Sequence, residues 1–145
     1  LTLRPSFTRQ ATIFAFRTDI TWDQSWPSLL FEERNRPDAP YSHRGRVHIP
    51  PSSQFIHLVS LTKGAMRMIV LPQLTQAEPM RGLITTLSKA GSTIMPVSAP
   101  IIYRRLDDPA QPTYGEITQG SPAYDGYRSE LAAAVRDGYV ALIAT

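Results

Sequence analysis

The sequence predicts an α+β fold: a mixed or antiparallel split β-sheet core with a few short helices, in a single domain over residues 1–145. Three observations lead there. Residues 11–19 and 54–61 are dense in β-branched, aromatic and aliphatic side chains, as buried strands are. Residues 78–89 and 123–136 place apolar side chains at helical spacing. Residues 139–143 read as a closing strand, so strands stand at both ends with helices between them.

Taken in order, residues 1–10 form a short extended lead-in to the first strand, which Thr18 and Asp19 end. Strand side chains alternate with period two, so Arg17 shares a face with Ile13 and Ala15. A guanidinium on a buried face is costly unless paired, so either an internal acid neutralises Arg17 or it lines a cleft awaiting an anion. Pro27 suits the start of a helical turn over residues 26–33, with Trp22, Trp26, Leu29, Leu30 and Phe31 as core. Residues 34–51 are polar, basic and turn-rich, the composition of a long functional loop or a surface excursion.

In the second strand Ser60 lies on the Ile56 and Leu58 face, and His57 points the other way. After it, Lys63-Gly64 is either a hairpin turn or, with Thr62 as cap, the approach to a short helix; so few residues leave both open. Met80, Leu83, Ile84 and Leu87 mark a helix over residues 78–89 that Gly91 ends. Short strands over 93–97 and 101–106 are interrupted by Pro96 and Pro100, and 107–122 is loop. Tyr124, Tyr127, Leu131 and Val135 mark the helix over 123–136, with Asp137-Gly138 as its stop.

Composition narrows the functional classes. No apolar run approaches the roughly 18 residues of a membrane-spanning helix. Without cysteine there is no disulfide, thiolate nucleophile or cysteine-ligated zinc, and His43, His48 and His57 have no partners at metal-binding spacing. A chain opening at Leu1 is expected to be a processed product or an excised domain. The net charge is +3, and Lys63 and Lys89 are its only lysines. Arginine suits planar recognition of phosphate or carboxylate, although a GC-rich genome also enriches it. Ser60 and His57 face opposite ways and lack flanking glycines, which argues against a hydrolase triad.

One constellation joins distant segments: Arg17, then Ser60 with Thr62, then Glu130. Phe16-Arg17-Thr18-Asp19, His43 with Gly45-Arg46, Leu58-Val59-Ser60-Leu61-Thr62 and Tyr127-Arg128-Ser129-Glu130 follow one another across nearly the whole chain. In this order the chain resembles the pertussis-toxin-like, arginine–serine–glutamate class of mono-ADP-ribosyltransferase toxin domains. The resemblance implies an NAD-dependent transferase that is secreted or injected into a target cell. Its acceptor would be a macromolecule, protein in preference to nucleic acid, and a partner subunit or immunity protein would accompany it. Glu130 would stabilise the oxocarbenium-like sugar of NAD, and Arg17 with Asp19 would hold the dinucleotide. Ser60 and Thr62 would brace them, and His43 would touch the ribose or the acceptor. Trp22, Trp26 and Tyr41 are alternatives for covering the nicotinamide. Arg128 and Leu61 stand where that class has an acceptor-selecting Gln or Glu and a strand hydroxyl, which leaves the acceptor open.

Two other readings compete. The proline-rich, loop-rich chain fits a non-enzymatic assembly protein of a phage or secretion machine. The His43, Arg44, Arg46 and Lys63 cluster fits a basic nuclease-like or RNA-binding toxin.

Overall fold

The structure, a computed structural model, describes residues 1–73, 79–106 and 111–144. Antiparallel strands run in chain order: β1 (Thr2–Pro5), β2 (Thr12–Asp23), β3 (Ser28–Arg34), β4 (Arg44–His48), β5 (Phe55–Thr62), β6 (Ala65–Pro72), β7 (Met80–Ala90), β8 (Thr93–Tyr103) and β9 (Gly115–Thr118). Each of β2 to β8 pairs with its neighbour in sequence. The short β1 closes the circle, pairing with β8 at Thr2–Tyr103 and with β2 at Thr2–Phe16. The result is a closed eight-strand antiparallel barrel, with β9 added along Thr12–Ala15 of β2. Closure matters physically because it removes the unpaired edges of an open sheet.

Alternation sorts the side chains into two cores. Phe31, Val47, Leu58, Ile69, Leu71, Ile84 and Ile101 come from six strands and meet inside the barrel. Leu1, Leu3, Ile13, Ala15, Ile102 and Ile117 lie on the outer wall, where α1 (Tyr124–Arg136) covers them with Tyr124, Tyr127 and Leu131. Two inward positions are glycine because their neighbours leave no room. A Cβ on Gly45 would sit 2.1 Å from the Val59 carbonyl oxygen and 2.9 Å from the Phe31 ring. One on Gly82 would sit 2.0 Å from the Val70 carbonyl oxygen.

The α+β expectation, with its split sheet, is overturned: the chain is mainly β, with a single α-helix among the described residues. The largest correction is the helix expected over 78–89, which is β7 from Met80 on; Glu78 lies outside the described residues. Gly82, Ile84, Thr86 and Ser88 alternate into the barrel, and the β-branched run Ile84-Thr85-Thr86 favours extension. The inward positions turn polar near one end of the strand, so hydrophobicity alone suggested the wrong period.

The helical turn expected over residues 26–33 is also absent: Trp26 and Pro27 belong to a turn and residues 28–33 to β3. Asp23 Oδ1 accepts from the Ser25 backbone N–H at 3.1 Å and hydroxyl at 2.7 Å, making a tight turn into β3. Trp22 and Trp26 stand 59% and 68% exposed on that hairpin instead of in the core. Pro96 and Pro100 do not interrupt β8, whose second edge is paired only at Ile102 and Leu3 and at Tyr103 and Thr2. A proline facing an unpaired edge removes no ladder bond. Residues 139–143 form no strand: past Gly138, at φ +79°, the chain is irregular, with the Tyr139 ring against Arg81. The loop expected over 107–122 contains β9, and its residues 107–110 lie outside the described residues. Strand β5 and helix α1 lie where the sequence places them, β2 continues past the expected end at Thr18 and Asp19 to Asp23, and of the two alternatives at Lys63 (φ +48°) and Gly64 (φ +78°) the structure has the hairpin turn.

Candidate functional site

Antiparallel pairing in chain order puts the β1–β2, β3–β4, β5–β6 and β7–β8 connections at one end of the barrel. They surround a cup of about 380 Å³. Its wall includes Phe7, Phe14, Leu87 and Ile94, with hydroxyls from Thr62, Thr86 and Ser88. Six basic residues line it, Arg4, Arg9, Arg36, Lys63, Arg67 and Lys89, against two acids, Asp38 and Glu116.

Below the mouth lies a buried ionic layer centred on Glu33. Phe31 and Glu33 alternate inward on β3, so the carboxylate enters a region where water cannot serve it. Oε2 accepts from Arg36 Nη1 at 2.5 Å and from the His43 backbone N–H at 2.9 Å. Oε1 accepts from Arg67 Nη1 at 2.6 Å. Burial pushes this carboxyl's pKa upward more than any other single influence. Arg67, Arg36 and the backbone donor together overcome it and hold the pKa below the ordinary range. The chain reverses at Asn35 (φ +58°), bringing Arg36 back over the barrel, where it also grips Asp38 through Nε (2.8 Å) and Nη2 (2.7 Å).

Arg4 is different. On β1, Leu1 and Leu3 go outward beneath α1, so Thr2 and Arg4 go inward. The Arg4 guanidinium carbon stands 4.2 Å from the centre of the Phe7 ring and 4.7 Å from that of Phe14. Nη1 donates to the Pro5 carbonyl at 2.8 Å, and Nε has no partner. No ion pair holds Arg4 among the described residues, although it is only 2% exposed. Burial, then the Arg36 and Arg67 charges, push its pKa down to about 9. Asp38 and Glu33 act in the opposite sense without reversing the shift, and the arginine keeps its proton at neutral pH. Arg67 Nε is also buried without a partner.

His43 Nδ1 and Ser60 Oγ are 2.5 Å apart, both residues buried. Burial first, then Arg67, push the His43 pKa down to about 4. A ring so reluctant to accept a proton is a poor general base at neutral pH, and the pair acts as a hydrogen-bonded wall element.

Of the six residues singled out in the sequence, His43, Ser60 and Thr62 reach this end of the barrel. Arg17, Asp19 and Glu130 do not join them. Arg17 follows Ile13 and Ala15 on the outer face, as alternation requires, but lies past the part covered by α1. Its side chain is 50% exposed and donates from Nε to Asp19 Oδ1 at 2.5 Å, while Asp19 also pairs with Arg34. The expected burial of Arg17 is therefore corrected. Glu130 faces out from α1 and pairs with Arg104. Trp22 and Trp26 are on the β2–β3 hairpin, at the other end from the cup. Arg4, Glu33, Arg36 and Arg67 were missed. The signal for Arg67 was present: it interrupts the apolar run Ala65–Pro72, the same cue that drew attention to Arg17.

Replacing Glu33 by Gln leaves Arg36 and Arg67 without their shared counter-charge. The expected loss is about 3–5 kcal/mol of unfolding free energy in urea titration; a loss below 1 kcal/mol would show that the layer is not ionic. Acid sensitivity follows from His43. Above its ordinary pKa of 6.5 the ring is neutral folded and unfolded; as pH falls toward about 4 only the unfolded chain takes up the proton. Stability therefore falls across that window, by on the order of 3 kcal/mol, and His43→Gln flattens the profile there. The contribution of Glu33 is lost only at more acidic pH, below the ordinary carboxyl value of 4.5.

Compared with known proteins, the chain matches no family model, no curated protein and no solved structure.

Proposed function

We propose that this barrel is a binding module for a small anionic group carried on an apolar or aromatic body. The carrying observation is Arg4: a buried guanidinium between two phenyl rings, lining a cup, with an unpartnered Nε and no ion pair. Folding places a charge there that Asp38 and Glu33 offset only in part and from a distance, without an ion pair, and a bound carboxylate or phosphate would offset the rest. Small closed barrels have room for one small ligand, and 380 Å³ lies at the lower end of ordinary ligand sites, roughly 300–1,000 Å³. Phe7, Phe14, Leu87 and Ile94 supply the apolar wall, and Thr62, Thr86 and Ser88 supply polar contacts.

Binding is favoured over catalysis because the one histidine at the site is held neutral by burial and by Arg67. NAD-dependent ADP-ribosyl transfer, the expectation from the sequence motifs, is a separate proposal. It draws no support from the geometry, since Arg17 and Glu130 are each engaged elsewhere. NAD belongs among the ligands titrated, with nicotinamide release as the readout.

Calorimetric titration with octanoate and phenyl phosphate, against uncharged octanol, tests the reading. The anions are expected to bind and octanol to bind at least tenfold more weakly. Arg4→Met is expected to lower anion affinity at least tenfold while leaving the thermal midpoint unchanged or higher, because it removes an incompletely compensated buried charge. Unchanged affinity in Arg4→Met, or anion and alcohol binding alike, would overturn the proposal. A collapsed thermal midpoint would assign Arg4 to stability instead.

A further inference from the structure

The mouth of the cup combines exposed apolar side chains with a concentration of basic residues. The β5–β6 and β7–β8 hairpins project around it, and their tips carry bare apolar side chains: Leu61 is 66% exposed, Met66 64% and Ile94 60%. Leu61 and Met66 face each other across one turn, and Ile94 is cross-strand from Lys89 near the other. Between them stand Lys63 and Lys89, the only lysines among fifteen basic residues. Lysine's flexible stem lets an ammonium reach past apolar neighbours to a charged surface, whereas arginine predominates in the pairs along the barrel wall.

Depth is graded in the same direction. Along the strands of the cup wall, Lys63 and Lys89 stand at or next to the turns, Thr62 and Ser88 one position further from them, and Arg67 deeper. Arg67 is opposite Ser60, three residues beyond the Lys63–Gly64 turn, on the order of 10 Å down the strand. A soluble anion needs the arginines but not exposed Leu61, Met66 and Ile94 on the two hairpins beside the entrance. A bilayer needs both: its phosphates project out toward a docked protein while apolar tips enter the interfacial layer.

Resting on the anion-cup reading, we propose that the barrel docks mouth-down on an anionic membrane surface. One anionic phospholipid headgroup enters the cup, and Leu61, Met66 and Ile94 seat in the interface. The lipid's phosphate meets Arg4 and its acyl chains stay in the bilayer. Charge complementarity selects the occupant, because a basic cup rimmed by lysines and apolar tips matches an anionic lipid surface on both counts.

Sedimentation with phosphatidylcholine vesicles, with and without phosphatidylglycerol, tests this beside the octanoate titration. Wild type is expected to bind the anionic vesicles and not the neutral ones. Leu61→Ser combined with Met66→Ser, neither of which lines the cup, is expected to weaken vesicle binding roughly tenfold or more and to leave octanoate affinity unchanged. Arg4→Met is expected to lower both. Octanoate binding without vesicle binding, or vesicle binding indifferent to the rim pair or to Arg4, would overturn the membrane inference and spare the cup. Absence of binding to octanoate, phenyl phosphate and vesicles alike would overturn the cup itself.

Discussion

Everything at the open end of this barrel depends on one buried carboxylate. Glu33 accepts from Arg36, Arg67 and the His43 backbone, so a single side chain ties β3, the β3–β4 connection and β6 together. Ion pairs taken out of water yield little net stability, but a half-removed pair is severely destabilising. The layer therefore serves less as a source of stability than as a constraint on geometry. While Glu33 is ionised, Arg36 and Arg67 have fixed positions and His43 has a fixed backbone.

That constraint leaves a surplus. Arg36 is answered twice, by Glu33 and Asp38, and Arg67 once, by Glu33. Arg4, close enough for both other guanidiniums to depress its pKa, has aromatic faces and one carbonyl in contact, and Asp38 and Glu33 act on it only from a distance. A core optimised for stability alone would place an apolar residue there. Keeping a cation at that position is the pattern of a site whose remaining partner arrives from outside. The apolar floor beneath the layer and α1 outside the wall hold the barrel's shape without it.

What could be read in the sequence follows from which positions obey a simple hydrophobic period. Strands β2 and β5 were legible because their apolar and β-branched residues are dense, and α1 because Tyr124, Tyr127 and Leu131 repeat at helical spacing onto a buried wall. Strand β7 was not, because its inward face runs Met80, Gly82, Ile84, Thr86, Ser88, too few of them apolar to show the period, leaving a spurious helical pattern. Strand β3 was masked by Pro27 and by tryptophans that proved exposed. At the site, His43 and Thr62, residues expected to serve a different chemistry, line the cup, and Ser60 hydrogen-bonds His43 behind it. Arg17 was chosen by a sound rule, that a cation in an apolar strand needs a reason. Which wall of a closed barrel it faced depended on closure by β1 and on where α1 stops, and neither is encoded locally.

The most direct test of the central claim is a crystal structure with a bromine-substituted aromatic carboxylate bound, located by its anomalous signal. The structure predicts one bromine site within the cup, with the carboxylate on Arg4 Nε and the Glu33 layer undisturbed. An empty cup with bromine only on the outer wall, or an Arg4 guanidinium swung out to an acid of its own chain, would contradict it.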